Sequence, residues 1–121
     1  MEIRLLPHDH GNAQKAAFLR RELSRTREFE AAAELFRLLG DSSRLRIFWL
    51  LCHCEECVLN LSVMMNMSSP ALSHHLKLLK ACGLIVSRRD GKEVYYRAAE
   101  NLQAQELHHV IEHVAEIACP E

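Results

Sequence analysis

Histidine and glutamate side chains recur near the C-terminus of the 121-residue chain at a spacing that suits a metal ion. Steps of three, four and three residues separate the members of the set Glu106, His109, His113 and Glu116. Such residues share one face of an α-helix, and two histidines four residues apart can bind the same ion. Histidine and carboxylate ligands favour Zn(II), Co(II) or Ni(II). The alternative is a solvated polar face, where we also expect the neighbouring pair His108 and Glu112.

A second candidate site consists of thiols, because Cys52, Cys54 and Cys57 lie within six residues. Together they could form an atypical three-thiolate site for As(III), Cd(II) or Cu(I). A thiol-oxidation or sulfide switch, with or without Cys119, is a further alternative. It is equally consistent with the sequence that Cys52 packs in the core and that the other two have no function. The odd number of cysteines, five, argues against a disulfide framework.

A third group of side chains suits DNA. Residues 77–97 hold six basic and two acidic residues, whereas residues 98–121 hold five glutamates and no lysine or arginine. The net charge of the whole chain is only −1, so one region favours phosphates and another favours cations. The residues that we expect to contact DNA are Ser69, Ser73, His74, His75, Lys77, Lys80, Arg88, Arg89 and Lys92. His74 and His75 are adjacent and do not share a helix face, which disfavours them as a metal pair.

The elements that must position these residues are mainly helical. Residues 1–14 are polar and predict a flexible arm. Apolar residues at helical spacing over residues 15–39 predict one or two helices that end at Gly40. Asp41 is a good N-cap for an apolar central helix, and Ser68 is a good N-cap for a later one.

A hairpin follows these helices. Residues 84–97 contain two β-prone runs joined by Asp90-Gly91, which is a strong hairpin signal. Two short helices around a tight turn, followed by a basic hairpin, indicate a helix-turn-helix with a wing. We therefore predict a mainly α fold with a small β-hairpin, a winged helix-turn-helix. It would form a single domain over residues 15–121, with a DNA-binding core at 41–97, a wing at 84–97 and a last helix at 100–118.

Four segments carry a family resemblance: residues 36–47, 72–79, 83–86 and 88–96. Together they resemble the ArsR/SmtB family of small metal-responsive winged helix-turn-helix repressors, and the resemblance extends over residues 30–118. It implies a homodimer whose interface is formed by the first and last helices, at 15–39 and 100–118. It also implies binding to palindromic double-stranded operator DNA, and release of that DNA when a metal ion or another effector binds.

The same resemblance implies where a zinc ion would bind. In zinc-sensing members, ligands at the two ends of the last helix combine across the dimer, and Glu100, His113 and Glu116 match three of the four positions. The fourth position is histidine in those sensors and Leu102 here. The site is then completed by His109 or Glu106, completed by His8 or His10 of the arm, or lost. Our predicted set for Zn(II) or a similar divalent ion is Glu100, His109, His113 and Glu116.

The thiolate alternative matches the family less completely. In members that sense cadmium, lead or arsenic, a Cys-x-Cys pair opens the helix before the recognition helix. Cys57 matches the first position, but the second position is Leu59 and the arm has no cysteine. An As(III) or Cd(II) site would therefore use Cys52, Cys54 and Cys57.

Other classes of function fit less well. A thioredoxin-like use of Cys54-x-x-Cys57 would need a βαβ setting, and no catalytic triad or phosphate-binding loop occurs, so we do not expect an enzyme. A metal-buffering protein or thiol enzyme without DNA binding would leave the basic wing unexplained. No apolar run approaches the roughly 20 residues that span a bilayer, and residues 1–7 are too short and too charged for a secretory signal. We expect a cytoplasmic protein with no membrane partner.

Overall fold

The computed structural model describes residues 6–120. Residues 1–5 of the predicted arm lie outside the described residues. The elements are α1 (Ala13–Leu23), α2 (Thr26–Leu39), α3 (Ser42–His53), β1 (Glu56–Cys57), α4 (Val58–Met65), α5 (Ser69–Ala81), β2 (Ile85–Asp90), β3 (Glu93–Ala98) and α6 (Leu102–Ala115). The predicted fold class is confirmed, because the chain is mainly helical and its small antiparallel sheet occurs in the element order of a winged helix-turn-helix.

The chain divides into two compact units, residues 1–34 and 35–121. The predicted helical region at 15–39 is two helices, separated at Ser24 and Arg25. The first helix ends because the Ser24 hydroxyl donates to the carbonyl of Arg21 at 2.6 Å, and the Ser24 amide closes the last turn. The second helix runs to Leu39 and ends at Gly40, as the sequence predicts.

Helix α3 forms the centre of the second unit. The Asp41 carboxylate accepts a hydrogen bond from the Arg44 amide at 3.0 Å, which confirms the predicted cap. Ile47, Phe48 and Leu51 are fully or almost fully buried. Their burial fixes the scaffold against which the helices that follow α3 pack.

Helices α4 and α5 form the helix-turn-helix. Helix α4 ends at Asn66, whose backbone is left-handed, and Ser68 then caps α5 by accepting from the Ala71 amide at 3.3 Å. One face of α5 is buried through Leu72, Leu76 and Leu79. Burying this leucine stripe leaves the opposite face of the helix exposed.

The sheet has the order β1-β3-β2, and the wing is the hairpin of β2 and β3. Gly91, with φ of +62°, and Lys92 form the two-residue turn, so the turn lies one residue later than the predicted Asp90-Gly91. The short strand β1 was not predicted from the sequence. It exists because Glu56 and Cys57 pair with β3, an interaction between distant parts of the chain.

Helix α6 is shorter than the predicted helix at 100–118. Asn101 caps its start by accepting from the Ala104 amide at 2.8 Å, and Glu116 ends it in a left-handed conformation. Ala104 and Ile111 are buried and join the core around α3. Among the helices of residues 6–120, none has the length and apolar character to cross a membrane.

Candidate DNA interface and metal-ligating residues

The exposed face of α5 carries most of the side chains predicted to contact DNA. Ser69, Ser73, His74 and Lys77 are exposed, because the leucine stripe on the opposite side of the helix is buried. The short serine side chains lie in the first two turns, and the lysine lies in the third. This arrangement can place small polar groups near base edges and a cation near phosphates.

His75 has a different environment from its neighbour. It is half-buried, and its Nδ1 accepts a hydrogen bond from Arg44 Nε at 3.3 Å. Arg44 is itself buried and also donates to the carbonyl of Leu38 at 3.0 Å. Burial lowers the pKa of His75, the nearby cation lowers it further, and Asp41 opposes the shift. The lowered pKa favours the neutral ring, which links the recognition helix to Arg44 at the start of α3.

Two adjacent arginines of the wing point to opposite faces of the hairpin. Arg88 pairs with Tyr95 across the hairpin, and its guanidinium lies 4.7 Å from the centre of that ring. Arg88 also donates to both carboxylate oxygens of Glu55 at 2.6 to 3.0 Å. This hydrogen-bonded ion pair raises the pKa of Arg88 and lowers that of Glu55. Arg88 is thus held by the loop after α3.

Arg89 lies on the other face of the wing, together with Ser87. The Ser87 hydroxyl accepts a hydrogen bond from Lys80 Nζ, in the last turn of α5, at 2.7 Å. Arg89 and Lys92 are exposed, and neither has an ion pair within residues 6–120. Arg89 is therefore the wing arginine on the same face as the contact with the recognition helix.

The predicted zinc set is exposed but is not gathered within one chain. His109 and His113 lie one turn apart on the solvent side of α6. Glu100 precedes the helix and lies 3.3 Å from Arg97, and Glu116 forms its left-handed end. The set expected from the resemblance draws on two protomers, so a single chain contributes only part of it.

The three thiols of the alternative site have unlike environments. Cys54 is exposed, Cys52 is half-buried and Cys57 is buried at the end of β1. Burial raises the pKa of Cys52 to about 12, and the charge of Glu112 contributes to the shift. Burial also raises the pKa of Cys54. Within residues 6–120, these thiols are not part of a group of three metal-ligating side chains.

Four other side chains converge near the end of α3: His53, His108, Glu112 and Cys119. One ligand atom from each lies within 4.8 Å of all the others. His53 Nε2 is 3.1 Å from a Glu112 oxygen and 3.0 Å from His108 Nε2. The other Glu112 oxygen is 3.2 Å from His108 Nε2, and the Cys119 sulfur is 3.8 Å from His53 Nδ1. Two imidazoles, a carboxylate and a thiol therefore face a common point.

The expectation that His108 and Glu112 are surface residues is wrong. Their side chains are only 17% and 11% exposed. Successive residues of a helix point about 100° apart, so the burial of Ala104 and Ile111 turns His108 inward and the adjacent histidine outward. The sequence of α3 held one indication of this cluster, because Trp49 and His53 are spaced four residues apart, one helical turn.

Comparison with known proteins agrees with this architecture. The family described as "Bacterial regulatory protein, arsR family" matches residues 41–87. A protein named "Transcriptional repressor SmtB homolog" from Synechocystis is 39% identical over 84 residues, which cover 69% of this chain and 64% of that protein. The "Arsenical resistance operon repressor" of Escherichia coli is 40% identical over 72 residues, or 59% and 62% of the two chains. The chain thus spans a little under two thirds of these curated relatives.

A solved structure covers more of the chain. It is the solution structure of a homodimeric winged helix-turn-helix DNA-binding domain from Mycobacterium bovis, described as a possible ArsR-family transcriptional regulator. It is 26% identical with a TM-score of 0.65, and the match covers 96% of this chain and 94% of that one. A crystal structure of a fragment from the same organism is 30% identical, with 94% of that chain covered and a TM-score of 0.63. The fold and these relatives show that the chain belongs to the ArsR family of winged helix-turn-helix regulators.

Proposed function

We propose that the protein is a homodimeric transcriptional repressor that binds a palindromic operator and dissociates from it when a metal ion binds. One observation carries the DNA-binding part. The exposed polar face of α5 continues, through the contact of Lys80 with Ser87, onto the face of the wing that presents Arg89. The names of the Synechocystis and E. coli relatives, both repressors, support the regulatory role.

The side chains of this surface divide into two roles. Ser69, Ser73 and His74 enter the major groove with the first turns of α5, where short polar side chains can reach base edges. Lys77, Lys80, Arg89 and Lys92 neutralise phosphates, which gives affinity that falls steeply with salt. Arg88 and His75 position the surface, because the Arg88 guanidinium is paired with the Glu55 carboxylate and His75 Nδ1 accepts from buried Arg44.

Exposed apolar side chains support the dimer. Helix α6 exposes Val110 and Val114, one turn apart, at 49% and 81%. In α1 and α2 the exposed side chains include Phe18, Phe29 and Phe36. Large apolar side chains exposed in groups are typical of interfaces. The homodimeric M. bovis domain supports the same assembly here.

The ion would act on the geometry of that dimer. Two recognition helices read half-sites about 34 Å apart, one turn of DNA. Zn(II) bound between the two last helices, by Glu100, His109, His113 and Glu116, would fix the angle between protomers and hence this spacing. The acidic last segment favours cations, and both histidines are exposed on one face. A preference of a few kcal/mol for the wrong spacing is enough to release DNA.

The E. coli relative supports a second candidate effector, because its name refers to arsenical resistance. The same release would then follow As(III) or Cd(II) binding by Cys52, Cys54 and Cys57, of which Cys54 is the exposed member. Oxidation of these thiols or their reaction with sulfide is the non-metal form of this candidate. A metal-buffering protein would bind the same ions without binding DNA.

One titration tests the proposal. The reduced dimer is bound to a labelled fragment of the promoter of its own gene, and anisotropy is followed with Zn(II), Ni(II), Cd(II) and As(III) in parallel. We expect tight binding without metal and release with Zn(II). The His113→Ala variant should keep operator binding but no longer respond to Zn(II). A Cys52/Cys54/Cys57→Ser variant that still releases DNA with As(III) or Cd(II) would exclude the thiolate candidate. A monomeric protein, or one that ignores duplex DNA at low salt, would contradict the proposal as a whole.

A further inference from the structure

We propose that His53, His108, Glu112 and Cys119 bind one divalent metal ion of the Zn(II) or Co(II) type within a single protomer. This site differs from the zinc set described above, which lies on the solvent side of α6 and combines ligands from two protomers. Ion binding at this site can be measured without DNA and does not depend on the proposed function. Only an effect of the bound ion on DNA binding rests on that function.

The distances between the ligand atoms fit a tetrahedral ion. Zn–N and Zn–S distances of about 2.1 and 2.3 Å place tetrahedral ligand atoms roughly 3.3 to 3.8 Å from one another. The two Nε2 atoms are 3.0 Å apart, and the sulfur of Cys119 is 3.8 to 4.0 Å from the His53 ring nitrogens. Each Nε2 is also 3.1 to 3.2 Å from an oxygen of Glu112. All four ligand atoms lie within 4.8 Å of one another.

The chemistry of the four groups also favours a cation. Two imidazole nitrogens, a carboxylate and a sulfur are the ligand types that zinc uses in proteins. The Nε2 atoms of His53 and His108 face each other and the carboxylate of Glu112. All of these atoms can accept a hydrogen bond, and few protons are available between them. A metal ion would accept electron pairs from all of these atoms at once.

Three separate segments supply the ligands, and the fold directs each of them. His53 is the last residue of α3, while His108 and Glu112 are one turn apart on α6. Cys119 comes from the segment after α6, which turns back because Glu116 is left-handed and the Ile117 amide donates to the carbonyl of Glu112 at 3.1 Å. The left-handed end of the helix therefore has a role in returning the thiol to the site.

The surroundings hold the ligands but leave a path for an ion. Trp49 Nε1 donates to a Glu112 oxygen at 3.1 Å, the kind of outer contact that orients a metal ligand. His53 is only 14% exposed. A cavity of about 330 Å³, lined by His53, His108 and Glu100 among others, opens beside the ligands. This cavity gives an ion an entry path to the ligands.

Cobalt(II) titration of the full-length reduced protein, without DNA, tests the site. We expect one sulfur-bound ion per protomer, with the visible absorption of tetrahedral cobalt and a sulfur-to-cobalt charge-transfer band. Cys119→Ser should remove the charge-transfer band, because it removes the only sulfur in the set. The matched control is Cys82→Ser, which changes a thiol outside every proposed site and should keep the band.

Histidine variants separate this site from the one on the solvent side of α6. His108→Gln should lower the cobalt affinity of the protein on the order of 100-fold or more, since even outer-shell changes cost 10- to 100-fold. His109→Gln removes a ligand of the exposed set and leaves the sulfur-bound ion in place. Circular dichroism checks that each variant is folded, and Cys119→Ser alters only an exposed residue after the last helix.

The outcomes for this site and for the proposed function are distinct. A sulfur-bound cobalt spectrum that survives Cys119→Ser, or that is lost in His109→Gln but not in His108→Gln, would overturn the site. Tight binding of cobalt at these four residues without any DNA release would support the site and contradict metal-induced release. Zinc-induced release that is lost in both His108→Gln and Cys119→Ser would support this site and metal-induced release, and it would assign the release to this site instead of the set on the solvent side of α6.

Discussion

The protein holds two pairs of adjacent histidines, and the two pairs have different surroundings. His74 and His75 lie in the recognition helix α5, and His108 and His109 lie in the last helix α6. In each pair one ring is half-buried and the other is exposed, because neighbouring residues of a helix point in different directions. What differs is the set of groups that the inward ring meets.

The inward ring of α5 faces a cation, and the inward ring of α6 faces ligands. His75 accepts a hydrogen bond from Arg44, which leaves no place for a metal ion at Nδ1. His108 faces His53 and the carboxylate of Glu112, and both of these groups can bind a metal ion. The same dipeptide can therefore stabilise a helix in one place and offer a metal ligand in another. Only the tertiary neighbours distinguish the two roles.

The largest predicted effect tests this contrast directly. We expect His53→Gln to weaken zinc binding at the four-residue site by about 100-fold or more, because it removes a direct ligand. We expect His75→Gln to leave zinc affinity unchanged, because Arg44 occupies the position next to its Nδ1. Zinc affinity is measured by competition with a chromophoric chelator. Equal losses in the two variants would remove the distinction between the pairs.

The second prediction extends the contrast to the adjacent arginines of the wing. Arg89→Ala should lower the salt slope of operator binding by about 2 per dimer, or about 1 per protomer. Between about 50 and 200 mM salt this amounts to roughly a tenfold change in the relative affinity. Arg88→Ala should have a smaller effect, since the Arg88 guanidinium is already bonded to Glu55. Anisotropy titrations at several salt concentrations measure both slopes, and a larger effect for Arg88→Ala would reverse the assignment.

A third prediction concerns the cap beside Arg44. Asp41→Ala should lower the free energy of unfolding by about 1 kcal/mol, whereas Asp41→Asn keeps a capping oxygen and should lose less. The hydrogen bond from the Arg44 amide lowers the pKa of Asp41 below 3.8, and the nearby His75 and Arg44 add to the shift. This stabilisation is present above pH 3.8 and is lost as the pH falls through the folded-state pKa. Urea unfolding against pH tests it, and an Asn variant with the same acid dependence would contradict it.

The smallest effect is expected from the protonation of His75. Burial lowers its folded-state pKa below 6.5, so the folded protein binds fewer protons than the unfolded chain in that range. Stability should therefore fall as the pH decreases from 6.5 through the folded-state pKa. His75→Gln should remove this part of the pH dependence. The measurement is the unfolding free energy between about pH 7 and pH 5, where histidine titrates; an unchanged slope in the variant would show that His75 is not its source.

Much of the fold could be predicted because its signals are local. Asp41 and Ser68 cap their helices as expected, and Gly91 lies in the turn of the wing. The strand β1 could not be predicted, because only pairing with β3 makes two residues a strand. The predicted end of α6 is too late, because Glu116 adopts a left-handed conformation without a glycine to signal it.

The metal site of His53, His108, Glu112 and Cys119 is harder to predict from the sequence than the fold. Both His108 with Glu112 and His109 with His113 have the spacing of a ligand pair, and the packing of Ala104 and Ile111 decides which pair turns inward. Cys119 lies 66 residues after His53, and no sequence pattern indicates that the chain returns to it. The ion pair between Arg88 and Glu55 joins residues 33 apart for the same kind of tertiary reason.

The ion pair of Glu55 has a mechanical consequence. Glu55 follows the last residue of α3, His53, by two positions, and its carboxylate forms an ion pair with Arg88 of the wing. An ion bound at His53 would therefore lie two residues from the carboxylate that holds strand β2. A shift of the end of α3 would reach the wing through this ion pair, without passing through the core.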